Sequence, residues 1–239
     1  SVEYIVVPHR RLHDALVEVF PTLKNKVKVV GFALPEATRL RPPADSVTRR
    51  ITKEVYGRER SFFLAPVTGQ ESDNLERLVQ AYGRFRQQCP EVVLLLVPGE
   101  RSQQPRAARR AIKASPNAQD IVFVPKLSDT EYWKVYSSAR AILYPSLSTR
   151  FPLEILRAWH AQVPVLAVDN HVLQGAGALV RGEDVKSMAE GMLELVTTPF
   201  LASGLVENGK RRLGAFGWSG VVERIAAVLQ STATTPSTA

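Results

Sequence analysis

The sequence is poor in the features that crosslink or anchor a protein. Its 239 residues include one cysteine, Cys89, which excludes an intrachain disulfide and is compatible with a reducing compartment. No apolar run approaches the ~18 residues that a membrane span requires. The chain opens on Ser1 and a strand-like run, without the basic segment of a signal peptide. We therefore expect a cytoplasmic location, and a sequence that is part of a longer chain.

Motifs for metals and common cofactors are equally scarce. His9 and His13 have the spacing of two metal ligands on one helix face, but no third ligand lies near them in the sequence. The glycines form no phosphate-binding loop, and no repeat of 20–50 residues is evident. Cys89 and His160 are best interpreted as packing or surface residues. The sequence predicts no metal site and no bound cofactor.

Apolar residues and positive charge are plentiful. The chain is 45% apolar, which is enough for a sizeable core, and its net charge is +8. A basic surface favours phosphates of nucleotides, anionic lipids or nucleic acids, although a solvated Arg-rich face explains the charge equally well. The densest basic cluster falls in the Pro- and Arg-rich stretch 35–60, which we interpret as a solvated linker.

Residues 141–168 have the clearest local organisation. Ala141 to Tyr144 is a short apolar run of strand length, and Pro152 suits the first turn of a following helix. A second apolar, β-branched run covers 163–168. This order predicts a βαβ unit with a parallel sheet. Its functional end would be the loop 145–152, because the N–H groups at a helix start can hold a phosphate.

Strand and helix patterns alternate through the rest of the chain. Further strands are predicted at 4–7, 27–30, 62–67, 92–97, 121–124 and 178–180. Helices are predicted at 10–20, 46–56, 73–88, 102–114, 129–139, 152–161, 184–196, 204–214 and 218–230. This alternation predicts an α/β fold, with a doubly wound parallel sheet from residue 62 onward and helices on both faces.

The segment 141–168 resembles the signature of retaining glycosyltransferases of the GT-B fold, family 4. That signature is Pro-Ser-x-x-Glu-Gly-Phe-Gly-Leu-Pro-x-x-Glu-Ala, followed after a few residues by Pro-Val. The matching positions are Pro145, Ser146, Phe151, Leu153, Ala158, Pro164 and Val165. The departures are Thr149 and Arg157 at the two Glu positions, Arg150 and Pro152 at the two glycines, and Glu154 at the second Pro. The framework of the signature is kept while most of its polar chemistry is changed.

The resemblance covers essentially the entire chain and implies its domain organisation. Residues 1–37 resemble the last strand-helix-strand unit of the family's N-terminal domain, and 38–60 would be a linker. Residues 61–230 resemble the Rossmann-like C-terminal domain that binds the nucleotide-sugar, and 231–239 would be a disordered tail. The acceptor-binding remainder of the N-terminal domain would be a missing partner. Supporting similarities are Asp73-Asn74-Leu75, Gly99, Val122 to Leu127, Ser128-Asp129 and Phe216 to Trp218.

The resemblance also implies a nucleotide-sugar site at the carboxyl edge of the sheet. The implied positions are Thr68, Gly69, Asp73, Gly99, Pro125, Lys126, Leu127, Thr149, Arg150, Phe151, Pro152, Leu153 and Arg157. The family holds the diphosphate with an Arg and a Lys, whose positions are Thr68 and Asp73 here. Glu154 adds a carboxylate near the helix start, and Arg157 cannot accept hydrogen bonds from ribose hydroxyls because a guanidinium only donates. We expect weak diphosphate binding and assign no catalytic residue within this sequence.

Three functions remain open, and whether the protein is an enzyme remains open with them. The first, implied by the family, is a retaining transferase with a UDP-sugar or GDP-sugar donor, of which this chain is mainly the donor-binding domain. The second, favoured by the lost contacts, is a catalytically inactive homologue that acts as a partner or scaffold subunit. The third rests on charge alone and is a basic module on an anionic membrane surface, with nucleic acid the less expected partner. Steep salt dependence would mark this third function.

Overall fold

The computed structural model describes residues 3–33, 53, 60–68, 70–98, 106–124, 127–147, 153–168 and 178–233. The chain divides into two compact units, one formed by Ser1–Glu36 with Arg212–Ala239 and the other by Ala37–Arg211. The predicted domain boundary at residue 230 differs from this division, because the final helix makes its contacts within the first unit. The helix predicted at 46–56 lies outside the described residues, apart from 53.

The elements follow the predicted order, with small shifts at their ends. The strands are β1 (Ile5–Val7), β2 (Val27–Val29), β3 (Phe62–Val67), β4 (Val93–Pro98), β5 (Ile121–Phe123), β6 (Ala141–Tyr144), β7 (Val165–Val168) and β8 (Leu179–Arg181). The α-helices are α1 (Arg10–Val19), α2 (Leu75–Arg86), α3 (Arg106–Ala114), α4 (Asp129–Ser137), α5 (Leu153–His160), α6 (Val185–Thr197), α7 (Pro199–Leu213) and α8 (Trp218–Ala233). Helix α7 begins earlier than the predicted residue 204, because a proline suits a first helical turn. Helix α8 includes 231–233, so the start of the predicted disordered tail is helical.

The larger unit is built on a parallel sheet. In the described part of the chain its order is β5-β4-β3-β6-β7-β8, and every neighbouring pair is parallel. This confirms the predicted α/β fold with a doubly wound sheet. The chain runs outward from β3 to β5, returns to β6 beside β3, and then runs outward the other way to β8. The strand order therefore reverses between β3 and β6, which is where open α/β sheets bind ligands.

Burial explains the apolar sequences of these elements. The residues of β4 from Val93 to Val97 are at most 2% exposed, as expected for a strand that is covered on both faces. Helix α2 buries the face that its periodicity predicted, which includes Leu75, Leu78, Val79, Tyr82 and Phe85. Each such large side chain contributes roughly 1.5–3 kcal/mol when it is fully buried.

The smaller unit joins the two ends of the chain. In it β1 pairs with β2 in parallel, and Nε of Arg224 in α8 donates to the Val30 carbonyl at 2.7 Å. Gly31 has a φ of +89°, and a Cβ there would overlap the Arg224 guanidinium. Glycine is the residue that both adopts this positive φ readily and has no Cβ. Among the helices described, none is long and apolar enough to cross a membrane.

A buried ion cluster fixes the amino edge of the larger sheet. Asp120, just before β5, is 5% exposed and accepts hydrogen bonds from Arg60 Nη1 at 2.7 Å and from Arg86 Nη2. The hydroxyl of Tyr82 donates to the carbonyls of Val92 and Asp120, at 2.9 and 3.2 Å. Burial by itself raises the pKa of Asp120, but the hydrogen bonds and charges of Arg86 and Arg60 outweigh it and hold that pKa below its ordinary value. The cluster therefore joins the starts of three neighbouring strands to the end of α2.

Replacing Asp120 with Asn should destabilise the chain by about 3–5 kcal/mol at neutral pH, because two guanidinium groups lose their anion in a buried site. A lowered folded pKa means that the carboxylate stabilises the protein above about pH 4, and that this contribution is lost as the pH falls through the folded pKa. Urea unfolding at several pH values should therefore show the difference between the two proteins shrinking in acid. Glu91→Gln, at an exposed position, should change stability by less than about 0.5 kcal/mol. An equal effect of both substitutions would contradict this role of Asp120.

Two glycines of α7 make a second, matched test. A Cβ at Gly209 would overlap the indole of Trp159, whereas a Cβ at Gly204 meets no atom within 4 Å. Gly209→Ala should therefore destabilise the protein by about 1–3 kcal/mol through overpacking. Gly204→Ala should stabilise it by about 0.5–1 kcal/mol, because alanine loses less entropy in a helix. Thermal or urea unfolding of the two variants measures the change in stability of each. Changes of the same sign would rule out the close α5–α7 contact.

Candidate functional site

The candidate site lies at the carboxyl edge of the sheet, where β3 and β6 part. The first loop, 68–74, follows β3, and the signature loop begins at Pro145 after β6. The two loops are joined directly, because the N–H of Leu147 donates to the Ser72 carbonyl at 2.8 Å. The structure thus brings the start of the signature beside the first loop, as the fold predicts.

Five of the predicted site residues belong to the described chain. They are Thr68, Asp73, Leu127, Leu153 and Arg157. The others lie outside the described residues and are Gly69, Gly99, Pro125, Lys126, Thr149, Arg150, Phe151 and Pro152. The geometry of the site therefore rests on the first loop, on Pro145 to Leu147, and on helices α4 and α5.

Thr68 and Asp73 bond to each other. The carboxylate of Asp73 accepts the backbone N–H of Thr68 at 2.7 Å and the Thr68 hydroxyl at 2.8 Å, one at each oxygen. Asp73 is 5% exposed, although Thr68 is exposed. The sequence suggested that Asp73 would repel a diphosphate; in the structure its charge is buried and hydrogen-bonded within the loop. These two positions, where the resembling family has its cations, thus close the first loop on itself.

Glu154 and Arg157 form a second internal pair, one turn apart on α5. Arg157 Nη1 donates to Oε1 of Glu154, and the hydroxyl of Tyr132 donates to Oε2 at 2.9 Å. The guanidinium of Arg157 also lies over the Tyr132 ring, 5.8 Å from its centroid. Tyr136 donates to the Glu154 carbonyl at 2.5 Å. The carboxylate that the sequence places near the helix start is therefore balanced by Arg157 and accepts a hydrogen bond from Tyr132 of α4.

The carboxylates of both pairs, Asp73 and Glu154, act on the phenol of Tyr144. Burial raises the pKa of its phenol, and the carboxylates of Glu154 and Asp73 add to that rise against a hydrogen bond with Ser146. Burial likewise raises the pKa values of Tyr132 and Tyr136 well above the ordinary value, with the charge of Glu154 contributing. Because their pKa values are raised, all three phenols are neutral at physiological pH. Within the described part of the site, Arg157 is the cation that faces this cluster, and Glu154 already balances it.

The sequence did not single out the tyrosines of α4 as polar partners. Trp133 and Tyr136 belong to the core, since they are 8% and 0% exposed. Tyr132 and Tyr136 stand four residues apart, so both face α5, and this spacing is the signal that could have found them. Asn74 was also missed as a special position. It has a φ of 53°, and its buried Nδ2 has no hydrogen-bond partner within the described chain.

No group of three or more His, Cys, Asp or Glu side chains among the described residues could hold a metal ion. The histidines at metal-ligand spacing have other partners: Nδ1 of His9 accepts the N–H of Leu12 at 3.2 Å, and His13 pairs with Asp14. The described carboxylates of the site are likewise engaged, since Asp73 binds Thr68 and Glu154 binds Arg157 and Tyr132.

The chain is similar in sequence to known glycosyltransferases. Residues 58–198 match the family model described as glycosyl transferases group 1. D-inositol 3-phosphate glycosyltransferase 1 of Catenulispora acidiphila is 32% identical over 113 residues, which are 45% of this chain and 26% of that protein. The chain therefore spans about a quarter of the length of this curated relative.

Solved structures share the fold at low sequence identity. Sucrose-phosphate synthase from Thermosynechococcus elongatus superposes with a TM-score of 0.72 and 21% identity, covering 97% of this chain and 59% of that one. Anabaena HepE in complex with UDP-glucose gives a TM-score of 0.79 and 12% identity, with 96% and 64% covered. Trehalose 6-phosphate synthase from Burkholderia multivorans gives 0.79 and 15%, with 98% and 61% covered. The chain spans about three-fifths of each of these structures.

A double-mutant cycle tests the α4–α5 contact. Tyr132→Phe should destabilise the protein by about 1.5–3 kcal/mol, because the lost hydrogen bond has a charged acceptor. In a Glu154→Ala background the same substitution should cost less than about 0.5 kcal/mol, since the acceptor is already absent. Urea unfolding of the four proteins gives the coupling free energy between Tyr132 and Glu154. An unchanged cost of Tyr132→Phe in both backgrounds would mean that Glu154 is not its partner.

Proposed function

Because the chain belongs to the family of glycosyl transferases group 1, we propose that it supplies the nucleotide-sugar-binding domain of a retaining glycosyltransferase. The donor would be a UDP-sugar or a GDP-sugar, bound without a metal ion. The observation that carries the proposal is the contact between the first loop and the signature loop at the point where the strand order reverses. Open α/β sheets hold nucleotides at the carboxyl edge where the strand order reverses, as it does here between β3 and β6.

The charges of the described site limit how tightly a diphosphate would bind. Transfer of a sugar leaves negative charge on the departing diphosphate, and electrostatic stabilisation of that charge is usually the largest catalytic contribution. In the described part of the site, Arg157 is balanced by Glu154, and the first loop contains two acidic residues and no cation in its sequence. Positive charge from Lys126 or Arg150 would have to complete the site. We expect the donor to bind weakly at this edge.

A second candidate is a catalytically inactive homologue that acts as a partner or scaffold subunit. The observation that favours it is that the altered positions bond to each other, Thr68 to Asp73 and Arg157 to Glu154. A site that binds a diphosphate with a different set of residues would need a cation that is available to the phosphate. Two closed pairs instead stabilise the empty loops, which a structural subunit requires and a transferase does not.

Calorimetric titration with UDP, GDP and ADP separates the two candidates. The unmodified chain should bind a free nucleoside diphosphate no more tightly than ~0.1 mM, or about 5.5 kcal/mol. The double variant Thr68→Arg/Asp73→Lys should bind at least tenfold more tightly, because two charge-assisted contacts contribute roughly 1.5–3 kcal/mol each. Asp73→Lys alone should bind less well than the double variant and should lose stability, since it places a cation at a buried position and leaves Thr68 without its acceptor.

The matched control adds the same charge one turn further along α2. Glu76 and Gln80 are exposed, and Glu76→Lys/Gln80→Arg should leave nucleotide binding within about threefold, because charges at the surface are screened. Micromolar binding by the unmodified chain would support the active transferase and remove the main support for the inactive homologue. No binding even after the double change would count against a diphosphate site at this edge.

A further inference from the structure

Helix α3 carries an exposed row of positive charge. Arg109, Arg110 and Lys113 are exposed and stand at helical spacings of one, three and four, so they lie on one side of the helix. Arg106 precedes them by one turn in the sequence. The opposite side contains Ala111 and Ile112, which pack against the core. We call Arg109, Arg110 and Lys113 the basic face.

The cations of the basic face have no ion-pair or hydrogen-bond partner within the described chain, and α3 contains no acidic residue. Some exposed cations on other helices of the larger unit are paired. Arg77 Nη1 lies 3.2 Å from Glu183, Lys186 lies 3.8 Å from Glu190, and Lys210 lies 2.7 Å from Glu207. No carboxylate among the described residues thus neutralises the positive field of α3, and this field attracts an anionic surface.

We propose that the basic face binds the surface of an anionic lipid membrane. Three long, flexible cationic side chains on one side of a single helix can reach a plane at the same time, whatever the positions of the individual lipid headgroups. The apolar side of α3 is used in the core and cannot insert among acyl chains, so the contact would be electrostatic and reversible. Helix α3 has no aromatic residue on which a base could stack, which disfavours single-stranded nucleic acid.

Vesicle sedimentation with the full chain tests this proposal. At about 0.1 M salt, where the screening length is ~10 Å, the chain should bind vesicles with about 30% phosphatidylserine in phosphatidylcholine and should not bind phosphatidylcholine alone. Binding should weaken steeply as salt is raised. Arg109→Gln/Arg110→Gln/Lys113→Gln should bind about a hundredfold more weakly, since each cation near such a surface contributes roughly fivefold.

The control removes the same charge elsewhere. Lys186→Gln/Lys210→Gln/Arg211→Gln lies on α6 and α7, where the cations have partners, and should bind within about threefold of the unmodified chain. An equal loss in both triple variants would reduce the effect to net charge and overturn the proposal. Absence of binding to the anionic vesicles, or tighter binding to a duplex RNA at the same salt, would also overturn it. Circular dichroism and nucleotide titration should be unchanged in both variants, so this test and that of the proposed function can fail separately.

Discussion

The parallel pairing of β3 with β6 is the contact on which the larger unit depends. It joins the two halves of the sheet through Phe63 with Ala141 and Leu64 with Ile142, and all four residues are fully buried. The chain leaves these two strands in opposite directions, and open α/β sheets bind ligands at the carboxyl edge of such a point. The position of the candidate site follows from this strand order. The side chains there determine only which ligand can bind.

The charges that stabilise the sheet and those that concern a ligand lie at opposite edges. At the amino edge, Asp120 joins Arg60 to Arg86, and removing Asp120 would leave both of these guanidinium groups without the anion between them. At the carboxyl edge, the polar pairs lie within one loop or between two neighbouring helices. Substitutions in the loops can therefore change the chemistry of the site while the ion cluster at the far edge maintains the strand alignment.

The fold could be predicted from the sequence because it depends on patterns of apolar residues within single segments of the chain. The continuous apolar run of β4 and the periodic face of α2 each carry enough information to predict an element and its burial. The directions of the polar side chains were not accessible in this way. The sequence places Glu154 near the helix start, but its partner Tyr132 lies on another helix, and only the packing of α4 against α5 brings them together. The left-handed backbone at Asn74 also depends on the loop around it.

The two closed pairs change the energetic relation between the empty site and a ligand. A loop with two neighbouring cations is destabilised by their repulsion until an anion binds between them, so its stability and its function are linked. A loop whose charge is a buried carboxylate with two donors from Thr68 has no such need. Asp73 requires those donors, because a buried anion without them would be costly. The same holds for Glu154, since Arg157 and Tyr132 occupy its oxygens. Each pair therefore acts as one unit, and reversing a single member exposes an unsatisfied partner instead of restoring half a phosphate site.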